Sequence, residues 1–508
     1  MLHENMTEPQ LFKKIYDTAK DLALDVYVVG GFVRDQAMGR AHIAEVEEEN
    51  RVQAALERDL IEGGQDVIIE TVKRARDIDF VLIGDAIAYA SAFDAAMKQA
   101  GSLVAFPEFN TARYIMPDFD IEFAGARKEA YERGSRKPAV QPATLEEDLS
   151  RRDFTVNAMA RKIMSAGKLG PAVDPLSGAE DLKRKTLRTP LNPDETFSED
   201  PLRILRAARF AAELDFQIED ATYKAMYDNR RRLSIVSKER ILDEFLKLLA
   251  APAPSVGLAI LYKTKVLHEF LPEVPLLAGV EEVYGTRHKD NLWHSFRVVD
   301  NLATRTNKPL LRYAGLMHDI GKPDTKQFLR GRGWTFDMHE HLGKKIVRQV
   351  GKRLRMSTDD IQYVAKLVRW HQQPIGLMDT KITDSAVRRL VVNLGDDIDD
   401  LLKLCRSDIT TGNPERLKRR LANYDILEAK IIHVIEKDKL RAFQSPVRGE
   451  EIMEACGLKA GPTVGKIKKA IEEAILDGVI PNEYEPAKKF FLEVKDSFVK
   501  DATDWERK

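Results

Sequence analysis

The sequence predicts an α+β protein, in which a small mixed sheet near the amino terminus is followed by helices. Two observations predict the sheet, a β-rich run at 26–29 and an apolar run that begins at 76 and contains alternating acidic residues. Apolar residues at helical spacing, as at 11–24, and helix-start signals, as at 196–214, predict the helices. A chain of 508 residues is long enough for several domains with separate cores.

Composition narrows the class of protein. The chain is 44% hydrophobic and 32% charged with a formal net charge of -1, so any contact with nucleic acid must come from local basic patches. Its two cysteines, Cys405 and Cys456, lie far apart and in no metal-like spacing, which favours a reducing compartment. The amino terminus is polar and acidic, and no apolar run is long enough to cross a bilayer, so we expect a cytoplasmic protein without a membrane partner.

Two acidic residues carry the strongest chemical signal. Asp77 and Asp79 open an apolar run, and residues i and i+2 of a β-strand point to the same face. Both carboxylates can therefore reach one Mg²⁺ ion, which prefers oxygen ligands and often shares them with substrate phosphates. The pattern predicts the catalytic metal site of a nucleotidyl transfer enzyme, although Asp-x-Asp alone is also typical of a solvated strand edge.

A pair of glycines upstream predicts a phosphate site. The run at 26–29 breaks at Gly30 and Gly31, after which the sequence favours a helix. Such a turn exposes backbone N–H groups at a helix N-terminus, where anions bind, and Arg34 adds positive charge. We expect the triphosphate of a nucleotide to bind here.

Alternating polar and apolar residues at 112–124 predict a third strand. Asp118, Asp120 and Glu122 would share one face of it. Glu122, or alternatively Asp120, can supply a third catalytic carboxylate. An exposed acidic strand face is the competing interpretation.

Two further stretches are predicted to lie outside the sheet. Residues 41–72 form an acidic, helix-favouring insertion, which we expect to be a surface arm. Residues 129–142 include Gly134, Pro138 and Pro142, and this composition predicts a mobile loop.

Next along the chain, two arginines precede a pair of polar residues. Arg151 and Arg152 are followed by Asp153 and Asn157, which as residues i and i+4 of a helix would share one face. Arginine suits phosphate, so we expect a ribose and its phosphates to be held here.

The segment 196–214 is predicted to be a single helix with Ser198 as its N-cap. Asp200 and Arg203 lie one turn apart and can act as a pair. A simple ion pair on a helix surface is the alternative. The row continues with two more arginines, Arg206 and Arg209.

In this order, the motifs resemble those of the class II tRNA nucleotidyltransferases and bacterial poly(A) polymerases. The matching stretches are 30–35, 77–79, 151–157, 200–203 and 238–249. In that family the first two motifs normally lie close together, whereas the insertion separates them here. The resemblance implies a polymerase β-like nucleotidyltransferase head in which Asp77 and Asp79 bind the catalytic metals. It also implies contacts to the phosphates and sugar of the nucleotide from Arg151, Asp153, Asn157 and Arg206 or Arg209.

The resemblance further implies that Asp200 and Arg203 recognise the base. Cytosine and adenine both present an amine donor beside a ring-nitrogen acceptor, which a carboxylate and a guanidinium complement. Uracil and guanine present the reverse polarity and would be rejected. Protein side chains could thus select CTP and ATP without a nucleic-acid template.

A second constellation of histidine and aspartate lies in the other half of the chain. The series resembles the HD-domain metal-dependent phosphohydrolases, a domain often fused to this transferase family. By that resemblance the metal ligands are His294, His318, Asp319 and Asp408, with His339 and His371 as additions and His341 as the alternative to His339. These residue types suit a transition metal. A vestigial, purely structural HD fold is the competing interpretation.

Together the resemblances imply a CCA-adding enzyme that extends tRNA 3′ ends from CTP and ATP. The alternatives open from sequence are a poly(A) polymerase, an enzyme that adds only CC or only A, and a protein that is chiefly an HD phosphohydrolase with an RNA-binding amino half. We expect four parts, a catalytic head at 1–180, a helical neck for base recognition at 181–275, an HD domain at 276–430 and a helical tail that contacts tRNA at 431–508.

Overall fold

The computed structural model describes residues 6–40, 76–130, 139–378, 383–438 and 445–507. The chain divides into two compact units, one that runs to Leu248 and includes Val256–Phe270, and one that comprises Leu249–Ser255 and everything from Leu271 onward. The insertion at 41–72 lies outside the described residues. Across the described ranges, no helix is both long enough and apolar enough to span a membrane.

The first unit combines a sheet with helices. Its strands are β1 Val26–Val29, β2 Arg76–Leu82, β3 Ser102–Phe106, β4 Thr111–Ile115, β5 Phe119–Gly125, β6 Arg127–Ala130, β7 Ala139–Pro142, β8 Ala160–Ile163, β9 Leu169–Val173, β10 Thr186–Leu187 and β11 Gln217–Ile218. Its helices are α1 Glu8–Asp21, α2 Gly31–Ala37, α3 Ala86–Ala96, α4 Leu145–Ser150, α5 Gly178–Arg184, α6 Pro193–Glu199, α7 Leu202–Leu214, α8 Asp220–Asn229, α9 Lys238–Ala250, α10 Pro254–Lys263 and α11 Leu267–Phe270. Helices α9 and α10 extend a few residues past the boundaries of this unit.

Seven strands form one mixed sheet in the order β3-β4-β5-β2-β1-β8-β9. Strands β2 and β5 pair in parallel, and the other neighbours pair antiparallel. The parallel pair is joined through α3 and two further strands, because parallel neighbours cannot be linked by a tight turn. The α+β class and the mixed sheet predicted from sequence are therefore confirmed.

An aromatic core under this sheet fixes the register of the central strands. Phe80 of β2 and Phe123 of β5 are fully buried and lie 5.6 Å apart between ring centroids. Phe93 and Tyr89 of α3 pack edge-on against Phe123. A slip of one residue would move these rings to the opposite face, so the core specifies which residues of β2 and β5 face away from it.

Two sequence predictions about strands are wrong in detail. The stretch 112–124 is an antiparallel pair, β4 and β5, and Asp118 lies in the turn between them. The predicted loop at 129–142 begins and ends in paired strands, with Arg127 opposite Pro142. The rest of the predicted loop, residues 131–138, lies outside the described residues.

The segment predicted as one helix is two. Helix α6 ends at Glu199, Asp200 is extended with φ -130° and ψ 97°, and α7 begins at Leu202. The cause is Pro201, which disfavours helical backbone in the residue before it. Ser198 is therefore not the N-cap of α7. Asp200 Oδ1 instead accepts a hydrogen bond from the backbone N–H of Leu202 at 3.1 Å.

The second unit is mainly helical, with two small β-hairpins. Its strands are β12 Glu282–Val283, β13 Thr286–Arg287, β14 Gln327–Leu329 and β15 Gly333–Thr335. Its helices are α12 Asn291–Ala303, α13 Pro309–Met317, α14 Lys322–Thr325, α15 His339–Arg353, α16 Thr358–Trp370, α17 Gln373–Gly376, α18 Asp384–Leu394, α19 Ile398–Ser407, α20 Pro414–Asp438, α21 Gly449–Cys456, α22 Pro462–Leu476 and α23 Tyr484–Val499. Gly449, Gly457 and Gly461 lie at the ends of helices α21 and α22.

Replacing Gly178 by alanine should destabilise the first unit. A Cβ at this position would lie 2.2 Å from the backbone oxygen of Thr155, so the turn at Thr155–Asn157 would have to move. Overpacking of this kind costs about 1–3 kcal/mol. Thermal unfolding should show a lower Tm than that of a matched Gly376→Ala variant, whose Cβ would meet nothing within 4 Å. Equal Tm values for the two variants would contradict the close approach.

Candidate active sites

The paired acids predicted from sequence stand on one face of β2. Ile78 and Phe80 are buried in the core, whereas the side chains of Asp77 and Asp79 point away from it. The alternation that suggested a strand is therefore present in the structure, and it places both carboxylates where they can reach one ion.

The parallel pairing of β2 with β5 brings further acids to the same face. Asp77 is in register with Asp120, and Asp79 is in register with Glu122. Arg113 of β4 holds Asp120 through its Nε, which donates to Oδ1 at 2.7 Å, and through a second contact from its terminal nitrogen. Glu122 is thus the acid beside Asp79 that is free of this clamp.

The electrostatics of this face match a cation site. Burial, the neighbouring Glu122 and then Asp77 raise the pKa of Asp79 to about 7. Burial is also the main cause that raises the pKa of Glu122 and that of Asp77. Carboxylates arranged in this way favour a divalent cation, which offsets their mutual repulsion.

The glycine turn lies against these acids. Gly30 has φ +71°, a conformation that glycine adopts readily, and a Cβ there would lie 3.3 Å from Arg152 and 3.5 Å from Asp79. Gly31 is the first residue of α2. Arg34 is buried, and it donates to Asn157 Oδ1 at 2.8 Å and to Asp35.

Asp153 and Asn157 meet, but not on a helix. Phe154 between them is extended, and a single 3₁₀ turn covers Thr155–Asn157, so the predicted i,i+4 spacing on a helix is wrong. Asn157 nevertheless donates to Asp153 Oδ1 at 3.1 Å, and Arg206 of α7 donates twice to Oδ2, at 2.8 and 2.5 Å. Burial would raise the pKa of Asp153, but Arg206 lowers it to about 2.

Asp200 and Arg203 have separate partners. Arg203 donates to the backbone oxygens of Thr196 at 3.2 Å and of Arg151 at 2.5 Å. Asp200 forms an ion pair with Arg240 at 3.3 Å. The direct pair between Asp200 and Arg203 that sequence spacing allowed is not formed, and the arginine is fixed by backbone carbonyls instead.

Three guanidinium groups surround one ring in the first unit. Those of Arg34, Arg206 and Arg209 lie 5.4, 5.3 and 4.2 Å from the centroid of Phe210. Arg209 is also held by Glu244 at 2.5 Å. The sequence motifs at 30–35, 151–157 and 200–209 therefore converge at one place, although 123 residues separate Arg34 from Asn157.

Sequence reasoning assigned Arg151 and left out its neighbour Arg152. Both arginines bind Asp148, at 2.7 and 3.2 Å. Arg152 also lowers the pKa of both Asp79 and Glu122 and therefore lies near the acids. The buried Nε of Arg152 has no hydrogen-bond partner. Two adjacent arginines give no sequence signal that separates them, because the local turn alone decides which one faces inward.

The second unit gathers its histidines around Asp319. His294, His318 and Asp319 offer ligand atoms within 4.8 Å of one another, and so do Asp319, His339 and His371. Asp408 joins the first group, with Oδ1 2.8 Å from His294 Nε2 and 3.5 Å from His318 Nε2. His341 lies outside both groups with 43% of its side chain exposed, so the structure favours His339 over His341.

Each inner histidine is oriented by a second partner. The Nδ1 atoms of His318, His339 and His371 lie 2.8, 2.7 and 2.7 Å from the backbone oxygens of Gly315, Phe336 and Val368. His294 Nδ1 lies 2.9 Å from Thr410 Oγ1. The Nε2 atoms are left to face Asp319, and the buried His318 Nε2 has no hydrogen-bond partner. This is the outer-sphere arrangement typical of metal-binding histidines.

Comparison with known families agrees with this geometry. Residues 26–188 match the family described as "Poly A polymerase head domain", and residues 292–437 match the "HD domain". Residues 215–277 match a family described as "Probable RNA and SrmB-binding site of polymerase A".

Similar proteins of known activity extend the match over most of the chain. An A-adding tRNA nucleotidyltransferase of Deinococcus radiodurans is 33% identical over 346 residues, which are 66% of this chain and 76% of that relative. The chain belongs to the tRNA nucleotidyltransferase and poly(A) polymerase family. A CC-adding tRNA nucleotidyltransferase of Thermus thermophilus is also 33% identical, over 68% of this chain and 77% of its own. A multifunctional CCA protein of Ralstonia nicotianae is 30% identical, over 68% of this chain and 72% of that relative.

Solved structures agree on the fold of this family member. A CCA-adding enzyme of Bacillus stearothermophilus in complex with CTP has a TM-score of 0.63 at 20% identity, over 98% of this chain and all of that one. This tRNA nucleotidyltransferase is therefore an enzyme of the nucleotidyl transfer class with an HD domain. Both parts generally use divalent metal ions, and the HD part has two groups of residues that could hold one.

Replacing Asp153 by asparagine should lower the stability of the first unit. The change removes the charge opposite Arg206, which keeps about a third of its side chain in water, so we expect a loss of about 1–3 kcal/mol at neutral pH. Because Asp153 has a depressed pKa, its contribution is present above about pH 4 and is lost as the pH falls towards about 2.

Denaturant midpoints of the two proteins should therefore differ most at neutral pH and converge between pH 4 and pH 2. The exposed Asp228→Asn serves as the matched control and should follow the wild type throughout. A difference between Asp153→Asn and wild type that stays constant over this range would contradict the ion-pair assignment.

Proposed function

We propose that this enzyme adds the CCA end to tRNA from CTP and ATP, without a nucleic-acid template. The observation that carries the proposal is the register of β2 with β5, which sets Asp77 and Asp79 beside Glu122 on the open face of the sheet. Carboxylates in this arrangement are the ligands that Mg²⁺ prefers, and Mg²⁺ supplies the positive charge that phosphoryl transfer needs.

The reaction joins the 3′-oxygen of the tRNA to the α-phosphorus of the nucleotide and breaks the bond to pyrophosphate. Glu122, with its raised pKa, is suited to accept the proton of the 3′-hydroxyl. Arg152 and Arg206 lie beside the acids and are suited to offset the negative charge of the phosphates. Gly30 and Gly31 keep the turn narrow enough for a phosphate to approach its N–H groups.

The remaining site residues are assigned by their surroundings. Asn157 and Asp153 hold Arg34 and Arg206 at the ring of Phe210, so we assign this group, together with Arg151 and Arg209, to binding the sugar and phosphates. Asp200 and Arg203 are assigned to the base. Arg203 is fixed by two backbone carbonyls, and a guanidinium that cannot reorient is suited to discriminate between donors and acceptors.

Relatives of similar identity add all of CCA, only CC or only A, so the range of addition needs a direct assay. Purified enzyme is incubated with tRNA that lacks CCA, tRNA that ends in C and tRNA that ends in CC, with each labelled nucleotide in turn. We expect C to be added twice and A once. Addition confined to CC, or to A on the CC-ended substrate, would replace the proposal with a partial activity.

We further propose that the HD centre is a working phosphoesterase with a transition metal. His294, His318, Asp319 and Asp408 form its inner ligands, and His339 and His371 complete a second position around Asp319. An ion there would supply Lewis acidity for phosphoester hydrolysis. Burial lowers the pKa of His371 to about 3, which keeps it neutral and able to bind a metal.

The wider proposals follow from these two sites. We propose a division into a head at 1–180, a neck at 181–275, an HD domain at 276–430 and a tail at 431–508 that contacts tRNA. We place the reaction in the cytoplasm, which is supported by two free cysteines, Cys405 and Cys456.

Asp77→Asn and Asp79→Asn should each abolish nucleotide addition. Each removes a charge that an ion needs while it preserves the shape of the side chain, so we expect a fall in rate of at least about 100-fold. The readout is the rate of labelled CTP incorporation into tRNA without CCA. Asp85→Asn is the matched control, since Asp85 lies just beyond the other end of β2 and caps α3. Variants that retain the wild-type rate would overturn the catalytic assignment.

His318→Ala should remove the bound metal from the HD centre and leave nucleotide addition intact. His318 Nε2 faces Asp319 Oδ2 at 3.2 Å, so its loss opens the first ligand group. Loss of one ligand should lower metal content by about 10-fold or more in protein dialysed against chelator and then against the metal. His341→Ala is the matched control and should bind metal as the wild type does, measured by elemental mass spectrometry. Equal metal content in both variants would contradict the assignment of His318 as a metal ligand.

A further inference from the structure

The HD unit carries a surface that the ligand cluster around Asp319 does not use. Hairpins β12–β13 and β14–β15 lie side by side, and Trp334 Nε1 donates to the backbone oxygen of Thr286 at 3.0 Å. We call residues 282–287 and 327–335 the hairpin surface. Neither hairpin contributes a metal ligand among the described residues.

Aromatic rings form a row across this surface. Tyr284, at the tip of the first hairpin, is 90% exposed, and its ring lies 5.9 Å from that of Phe328. Phe328 lies 5.4 Å from Trp334, which in turn lies 5.1 Å from His288. The row therefore runs from a fully solvated ring into the body of the unit.

Tyr284 occupies a backbone conformation that does not favour it. Its φ is +49° and that of Gly285 is +75°, as in the type I′ turns that prefer Asn-Gly. A large side chain at a positive φ lowers stability, and the exposed ring of Tyr284 buries too little apolar surface to offset that loss. The stability of the hairpin does not account for a tyrosine here, which points to a ligand.

Cations accompany the rings. Residues 326–335 include Lys326, Arg330 and Arg332 and no acidic residue. Lys326 lies 5.8 Å from the centroid of Trp334, and Arg330 is exposed at the turn of the second hairpin. Some of these charges have acidic partners, such as Glu281 for Lys326 and Asp337 for Arg332 at 3.5 Å, but those pairs are exposed and weak.

The hairpin surface is continuous with the HD centre. Phe336, which follows β15, lies 6.1 Å from His288 between ring centroids, and its backbone oxygen holds His339. Lys322 connects the two directly, since its Nζ lies 5.3 Å from the Phe336 ring and 2.6 Å from Asp319 Oδ2. Successive ring and charge contacts therefore join the hairpin surface to the metal cluster.

We propose that the hairpin surface binds single-stranded RNA beside the HD centre. A base would stack on Tyr284, and the flanking phosphates would lie beside Arg330 and Lys326. Stacking on an exposed ring flanked by cations is how proteins hold single strands without sequence preference. A protein partner would instead need a wide apolar patch, whereas among the described residues of this surface Tyr284 is the one exposed ring and charged side chains lie near it. The choice of RNA as the ligand rests on the proposed function, whereas the binding surface itself is inferred from the rings and cations described above.

Photocross-linking of the full chain tests this. A single-stranded hexanucleotide that contains 4-thiouridine is irradiated with the protein in the presence of chelator, and the attached peptides are identified by mass spectrometry. We expect cross-links in 282–287 and 327–336 for the wild type. Tyr284→Asn should reduce them at least about five-fold, because a stacked base is lost while the turn gains its preferred residue.

Two controls separate the ring from other effects. Tyr284→Phe keeps the ring and should cross-link as the wild type does. Trp505→Ala removes an aromatic residue that is 58% exposed outside the hairpin surface, and it should also leave these cross-links unchanged. A Tm for Tyr284→Asn at or above that of the wild type shows that the hairpin is intact.

Wild-type cross-links that map only elsewhere, or that Tyr284→Asn leaves unchanged, would overturn the inference. Addition of CMP and AMP to tRNA from CTP and ATP is measured on the same protein preparations, with Mg²⁺ in place of the chelator, and should be unaffected in Tyr284→Asn. A wild-type protein that adds no nucleotide would contradict the proposed function, whereas the hairpin cross-links decide only the present inference.

Discussion

Like charges on neighbouring strands set the main constraint on the head of this enzyme. Because β2 and β5 pair in parallel with Asp79 opposite Glu122, two carboxylates share one face, and burial together with Glu122 raises the pKa of Asp79. They can remain ionised only if cations stand nearby, and Arg152 and Arg206 lower the pKa of Asp79. The hydrophobic core fixes this arrangement. A change of strand register would move Phe80 and Phe123 to the other face of the sheet and would disrupt that core.

The HD centre meets a similar constraint by a different device. Asp319 is buried. Three of the histidines that face it are oriented by contacts with the backbone carbonyls three residues earlier in the chain. Burial would lower the pKa of His318, but Asp319 and Asp408 raise it to about 10 in the absence of an ion. The two carboxylates thus favour positive charge at this point of the unit, as they would favour a bound cation.

Sequence predicted the parts of the fold that depend on side-chain period, and it missed those that depend on local backbone. The alternation at 77–80 requires only that the strand bury one face, so it correctly placed Asp77 and Asp79 together. The continuous helix at 196–214 failed because a single proline outweighed helical periodicity. Asp153 and Asn157 still meet, because Arg206 and Arg34 come from distant segments and hold them, which no local pattern can show. The position of Arg152 near the acids was beyond sequence for the same reason.

The pairing of every described arginine around Phe210 has a consequence for nucleotide selection. Arg34, Arg206 and Arg209 are each held by an acid or an amide before any nucleotide binds. A triphosphate therefore meets guanidinium groups whose orientation is already fixed, so little reorganisation remains to oppose its binding. Arg203 is fixed in the same way by two backbone carbonyls and by Glu199 at 3.4 Å. Rigid positive groups that stay charged are what a protein needs if its side chains, rather than a template strand, are to choose the incoming base.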